Sequence, residues 1–210
     1  MSIFSQLRIS SQILRLKRNY FYHKIDLFFF KFYSLDMDAS SDFANSLPTS
    51  PDSLYRLLED LKIKFKVFEH PPFFTVDEAK KHRQGMNGFH IKNLFLRDKK
   101  KKSFLVVAHE DRIIDLTQLT ERIRSSRLSF GSKERLFEEL GVLPGAVTPL
   151  SVINNKKKNI NIFLDAEMSG KDAIFCHPLV NDRTISLSHQ SLLTYFDYLG
   201  LSFEAVDLNF

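Results

Sequence analysis

The spacing of apolar positions switches repeatedly along the chain between helical and strand periodicity. "SPDSLYRLLEDL" sets Leu54, Leu57, Leu58 and Leu61 on one helical face, with Ser50 as N-cap and Pro51 at the first helical position. "KFKVFEH" alternates as a strand does, and Pro71-Pro72 stops it. "TVDEAKKHR" carries Thr75 and then Glu78, a capping-box pattern that predicts a short helix. "GFHIKNLFLRDKKKKSFLVVA" holds two apolar runs around a charged cluster and predicts a hairpin, with strands over 91–97 and 103–108. "LTQLTERIRS" and "SKERLFEELG" predict two short helices, the second capped by Ser132 and ended at Gly141. "VLPGAVTPLSVI" reads as a Pro/Gly-punctuated loop running into a strand. "NINIFLD", "AIFCH" and "TISL" read as strands, "SHQSLLTYFDYLG" as a helix between Ser188 and Gly200, and "FEAVDL" as a last strand. Helices mixed irregularly with hairpins argue an α/β fold, a mixed sheet with helices packed around it, and not a doubly wound parallel sheet.

Lys92 does not fit the pattern. Strand side chains alternate faces, so Lys92 shares one face with Leu94 and Leu96. A lysine at a strand end can snorkel its head to water. The other reading is a cation beside a pocket, facing phosphate or carbonyl oxygen.

The formal charge is +5, and its distribution matters more than its size. Residues 1–36 hold six basic side chains against two acidic ones, so the remainder is near neutral. That balance excludes a polyanion binder coated in positive charge and leaves local patches at Lys99–Lys102 and Lys156–Lys158. Both patches sit at expected hairpin tips and read as solvated. The single Cys176 excludes an internal disulfide and any zinc site built on several thiolates. None of the seven histidines forms a His-x-x-x-His pair, so no metal and no cofactor is expected.

The segment "IDLFFFKFYSL" is interrupted by Lys31 and is shorter than the roughly 20 apolar residues that span a bilayer. No membrane partner is expected. Residues 1–50 are expected to be an extension, poorly ordered or dispensable, ahead of a domain over 51–210. Translation from Met37 would explain the abrupt change there to a polar lead-in. The basic, acid-poor composition equally suits an organellar presequence.

Four stretches carry a resemblance: "HPPFFTVDEA" (70–79), "GFHIKNLFLRDKK" (88–100), "RLSFGSKERLFEELGVLPGAVTPLSVIN" (127–154) and "HPLVND" (177–182). From about Pro51 to Asp207 the chain resembles the YbaK/ProX aminoacyl-tRNA editing family, nearest to its ProX branch. The cysteinyl-tRNA(Pro) branch is less similar. The resemblance implies a mixed, partly closed sheet surrounded by helices. It implies a cytoplasmic trans-editing hydrolase that removes alanine from tRNA(Pro). The partners implied are mischarged tRNA(Pro) and prolyl-tRNA synthetase. It places the family's essential lysine at Lys92, with Asn93 beside it. It matches the family's Gly-x-x-x-Pro loop to Gly145, Ala146, Val147, Thr148 and Pro149, whose amides from 145 to 148 could meet an oxyanion. It makes His177 a site residue that orients substrate or water. Val76 is a candidate lining residue, while Thr75 and Glu78 are explained as a helix cap. No activated thiol is expected at Cys176. A same-fold deacylase for cysteinyl- or seryl-tRNA, and a tRNA- or synthetase-binding module without catalysis, remain the alternatives.

Overall fold

The computed structural model describes residues 39–72 and 75–210. The expectations for residues 1–36 and for a start at Met37 lie outside the described residues.

Helix α1 (Pro51–Asp60) starts as expected, with the Ser50 side chain accepting from the Ser53 N–H. It buries Leu54 and Leu58 and leads into β1 (Phe65–Glu69). Helix α2 (Val76–Lys80) is a short turn capped by Thr75, whose hydroxyl accepts from the Glu78 N–H. The hairpin follows as β2 (Phe89–Asp98) and β3 (Ser103–His109). Then come α3 (Leu116–Arg122), β4 (Leu128–Phe130) and α4 (Lys133–Leu140), the last closed by Gly141 in the left-handed region at φ 62°. The order ends with β5 (Ile160–Asp165), β6 (Ile174–Cys176), β7 (Arg183–Leu187), α5 (His189–Tyr198) and β8 (Glu204–Val206).

The sheet runs β1-β7-β6-β2-β3-β5-β8, with β4 added to β2. Pairing is antiparallel for β1/β7, β7/β6, β2/β3 and β2/β4, and parallel for β2/β6, β3/β5 and β5/β8. The mixed sheet with surrounding helices is therefore as read from the sequence. Its edge strands β1 and β8 do not pair with each other, so the sheet stays open.

Strand β2 joins the two halves. Its first residues, Phe89 and His90, pair with β6, and its last, Leu96 to Asp98, pair with β4. The stretch between them is flanked by the 145–148 loop, to which Asn93 donates. Gly88 lets β2 lie this close to β6. A Cβ there would sit 2.6 Å from the Ala173 carbonyl oxygen, and its φ of 156° disfavours other residues.

On the face that carries Lys92, Leu94 and Leu96 pack with Phe104, Val106 and Ala108 under Leu119 and Ile123 of α3 and its exit. Strand β3 is buried from Ser103 to Ala108, as expected for a strand covered on both faces.

Two expectations need correction. The stretch after "GAVT" is not a strand: Pro149–Asn154 forms a 3-10 helix, capped by the Thr148 hydroxyl. Pro149 has no N–H for a ladder, and the Ser151 hydroxyl satisfies the Thr148 carbonyl locally. The packed unit also begins before residue 51. Ala39 and Ser40 are buried, Asn181 N–H donates to the Ala39 carbonyl, and Ser41 binds the Asp182 carboxylate. Among the described residues, no helix is long and apolar enough to cross a membrane.

Candidate active site

The hairpin register sets Lys92 opposite Ala108, at the end of the apolar face, where its ammonium donates to the Arg112 carbonyl. Asn93 points the other way and donates through Nδ2 to the Val147 carbonyl at 2.9 Å. Two neighbouring residues of one strand thus hold two different loops. Burial lowers the Lys92 pKa below the ordinary lysine value, and the carboxylates of Asp111 and Glu110 oppose the shift.

A hollow of about 260 Å³ opens between these loops. Val76, Lys92, Asn93, Gly145, Val147 and His177 all line it. Six of the nine expected site residues therefore meet at one place. Ala146, Thr148 and Pro149 do not line it, because they are buried beneath the loop surface. The Ala146 N–H is already taken by the Leu143 carbonyl at 3.0 Å. Of the four expected amides, those of Gly145 and Val147 belong to residues that line the hollow. Neither has an acceptor among the described residues. Gly145 has φ 97°, which puts its N–H in a conformation that other residues adopt poorly.

A smaller hollow of about 60 Å³ adjoins the first and shares Ala79, Arg83, Ile91, Asn93 and His177 with it. Its other walls include Met86 and Phe175, so much of its surface is apolar.

His177 stands between the two. Its Nδ1 lies 2.9 Å from the Arg183 carbonyl. A carbonyl only accepts, so the proton sits on Nδ1 and Nε2 is left as an acceptor. Burial pushes the His177 pKa below the usual histidine value and keeps the ring neutral. His70 packs beside it at 6.2 Å between ring centroids and holds Pro71 and Thr184 at 2.8 Å each. Cys176 is buried and its thiol is pushed up to about 12 by desolvation, which removes it as a nucleophile. Among the described residues, no group of three or more His, Cys, Asp and Glu could hold a metal.

Residues 70–195 match the family described as the aminoacyl-tRNA editing domain. The chain belongs to this family. It is 36% identical over 152 residues to the prolyl-tRNA editing protein ProX of Acetoanaerobium sticklandii, covering 72% of this chain and 93% of that protein. It is also 36% identical over 163 residues to prolyl-tRNA synthetase associated domain-containing protein 1 of Bos taurus, covering 75% and 94%. A solved structure presented as a candidate trans-editing enzyme for prolyl-tRNA synthetase shares the fold, with a TM-score of 0.53, 19% identity, and coverage of 69% of this chain and 87% of that one. The family expectation is met, and with it the enzyme class: an aminoacyl-tRNA deacylase, a hydrolase of carboxylic esters.

Residues that the sequence did not single out also surround the hollow. Arg83 and Glu110 line the larger hollow and pair with each other, and Arg112 supplies the carbonyl that holds Lys92. Glu110 and Arg112 follow β3 in "AHEDR", an abrupt charge cluster after a buried strand. That cluster was the only local signal.

Proposed function

We propose that the chain hydrolyses alanyl-tRNA(Pro), acting in trans as a correction step for prolyl-tRNA synthetase. One observation carries the reading: the Lys92 cation, the Gly145 and Val147 main chain, and His177 line a single hollow that adjoins a small, largely apolar one. The names of the ProX and synthetase-associated relatives support tRNA(Pro) as the carrier.

The selectivity has a physical reason. A synthetase pocket built for proline cannot strongly reject alanine, because each missing methylene is worth only about 1–3 kcal/mol. A second, smaller site that admits alanine and excludes proline supplies the rest. In this reading the methyl group enters the small hollow past Ile91. Lys92 holds phosphate or ester oxygens by charge-assisted hydrogen bonds. The amides of Gly145 and Val147 meet the developing oxyanion, where a single donor contributes about 2.7–4 kcal/mol in measured enzymes. Water attacks the carbonyl carbon, the bond to the ribose oxygen breaks, and the proton passes to that oxygen. The neighbouring ribose hydroxyl assists, while His177 Nε2 orients the water or substrate.

The test is a deacylation panel with purified protein and tRNA(Pro) charged with alanine, cysteine, serine or proline. The proposal expects alanyl-tRNA(Pro) to be hydrolysed fastest and prolyl-tRNA(Pro) to survive. Preference for cysteinyl or seryl esters would move the chain to another specificity. Binding without turnover would leave a docking module.

A further inference from the structure

Lys92 stands near two carboxylates and is paired with neither. Glu110 and Asp111 both act on its charge, together with the Lys80 ammonium. Yet its ammonium donates to a neutral acceptor, the Arg112 carbonyl. Both acids are occupied elsewhere. Arg83 donates from both terminal nitrogens to the two Glu110 oxygens. Lys80 pairs with Asp111 at 2.5 Å. The Arg83–Glu110 pair is the enclosed one, with side chains 20% and 6% exposed, whereas the Lys80–Asp111 pair is open to solvent. Arg83, Glu110 and Lys92 line the same hollow.

The choice of acceptor matters. A carbonyl fixes an ammonium without cancelling its charge, while a carboxylate does both. The carbonyl is itself held in place, since the Arg112 side chain binds Asp165 at 3.0 Å and Glu167 at 2.7 Å. Arginine suits the other task because its planar fork can fill both oxygens of one carboxylate.

We propose that Arg83 is a positioning residue for the deacylation: by occupying both oxygens of Glu110, it keeps that carboxylate from capturing Lys92, whose charge stays available to the substrate. The inference rests on the role given to Lys92 above. It says nothing of Arg83 touching substrate, and the rescue below separates the two ideas.

The experiment compares wild type, Arg83→Gln and Arg83→Gln/Glu110→Gln. Alanyl-tRNA(Pro) hydrolysis is measured across pH, with the uncatalysed rate subtracted. The Lys92 titration is followed by NMR without tRNA. In Arg83→Gln, Glu110 turns to Lys92, raises its pKa and neutralises it. The rate falls about tenfold or more, and the alkaline limb moves to higher pH. Removing the carboxylate as well returns the rate to within about threefold of wild type and the titration to its original place. A single variant with wild-type rate and titration overturns the proposal. So does a double variant as poor as the single. If Arg83→Gln fails to fold around an unpaired Glu110, the double variant decides alone: a rate near wild type supports the proposal, and a deep loss overturns it. Because the titration needs no substrate, it judges this inference even if the wild-type protein deacylates nothing.

Discussion

At the scale of single residues, the site works by holding charges and dipoles where a reacting ester would need them. His177 is the clearest case. Its Nδ1 proton is committed to the Arg183 carbonyl, and burial lowers its pKa. Nε2 therefore stays an acceptor until the pH drops through a value below about 6.5. Deacylation should hold steady down to about pH 6.5 and fall only below it, and His177→Gln should remove that acid limb along with most of the rate. An unchanged acid limb in the variant would deny His177 this part. Specificity belongs to this scale as well. Ile91 is shared by both hollows, so Ile91→Ala should widen the passage and raise the prolyl-to-alanyl rate ratio by about tenfold. A constant ratio would mean that the small hollow does not select. Lys92 stood out in the chain as a cation on an apolar strand face, while Asn93 and His177 were expected at the site only through the family resemblance. Arg83 and Arg112 were not expected, because a salt-bridged arginine and a main-chain carbonyl leave no periodic signal.

At the scale of elements, the site exists because β2 changes partners. It pairs with β6 at Phe89–His90 and with β4 at Leu96–Asp98, and the loop bearing Gly145 faces the stretch between. Two glycines test this. Gly145→Ala should strain a φ of 97° beside the hollow, lowering deacylation and costing about 1–3 kcal/mol, a few degrees of melting temperature. Gly88→Ala should show itself mainly in stability. Its new methyl would press on the Ala173 carbonyl and the Phe175 ring, costing about 1–3 kcal/mol and several degrees of melting temperature. Capped helices and alternating strands were readable, since Ser50, Thr75, Ser132 and Ser188 each accept the expected N–H. Strand β4 was not, since three residues are too few to show alternation. The 3-10 helix at Pro149–Asn154 hid behind a β-rich composition, and Thr148 and Pro149 overrode it locally.

At the scale of the molecule, pH should act on stability through histidines. His70, His90, His177 and His189 all have pKa values lowered mainly by burial. The unfolded chain then binds more protons than the folded one below about pH 6.5, so stability is complete above that value and falls as pH drops toward the folded pKa values. Thermal melts from about pH 7.5 to about pH 5 should show a steady decline, and a flat profile would contradict the burial of these rings. The family and the mixed sheet were legible in the chain because four separated stretches kept their order. The open edges at β1 and β8, and the joining of residues 39–50 to the domain, were not. Pairing between distant segments decides both, and local pattern does not report it.

The central claim is that one ammonium group organises the hydrolysis. Single-turnover cleavage of alanyl-tRNA(Pro) by Lys92→Ala, set beside wild type and a melting curve for each, tests it most directly. The account expects a loss of about a hundredfold or more with a melting temperature at least as high as wild type, since Lys92 is a partly buried cation without a carboxylate partner. Cleavage at the wild-type rate by the folded variant would contradict it.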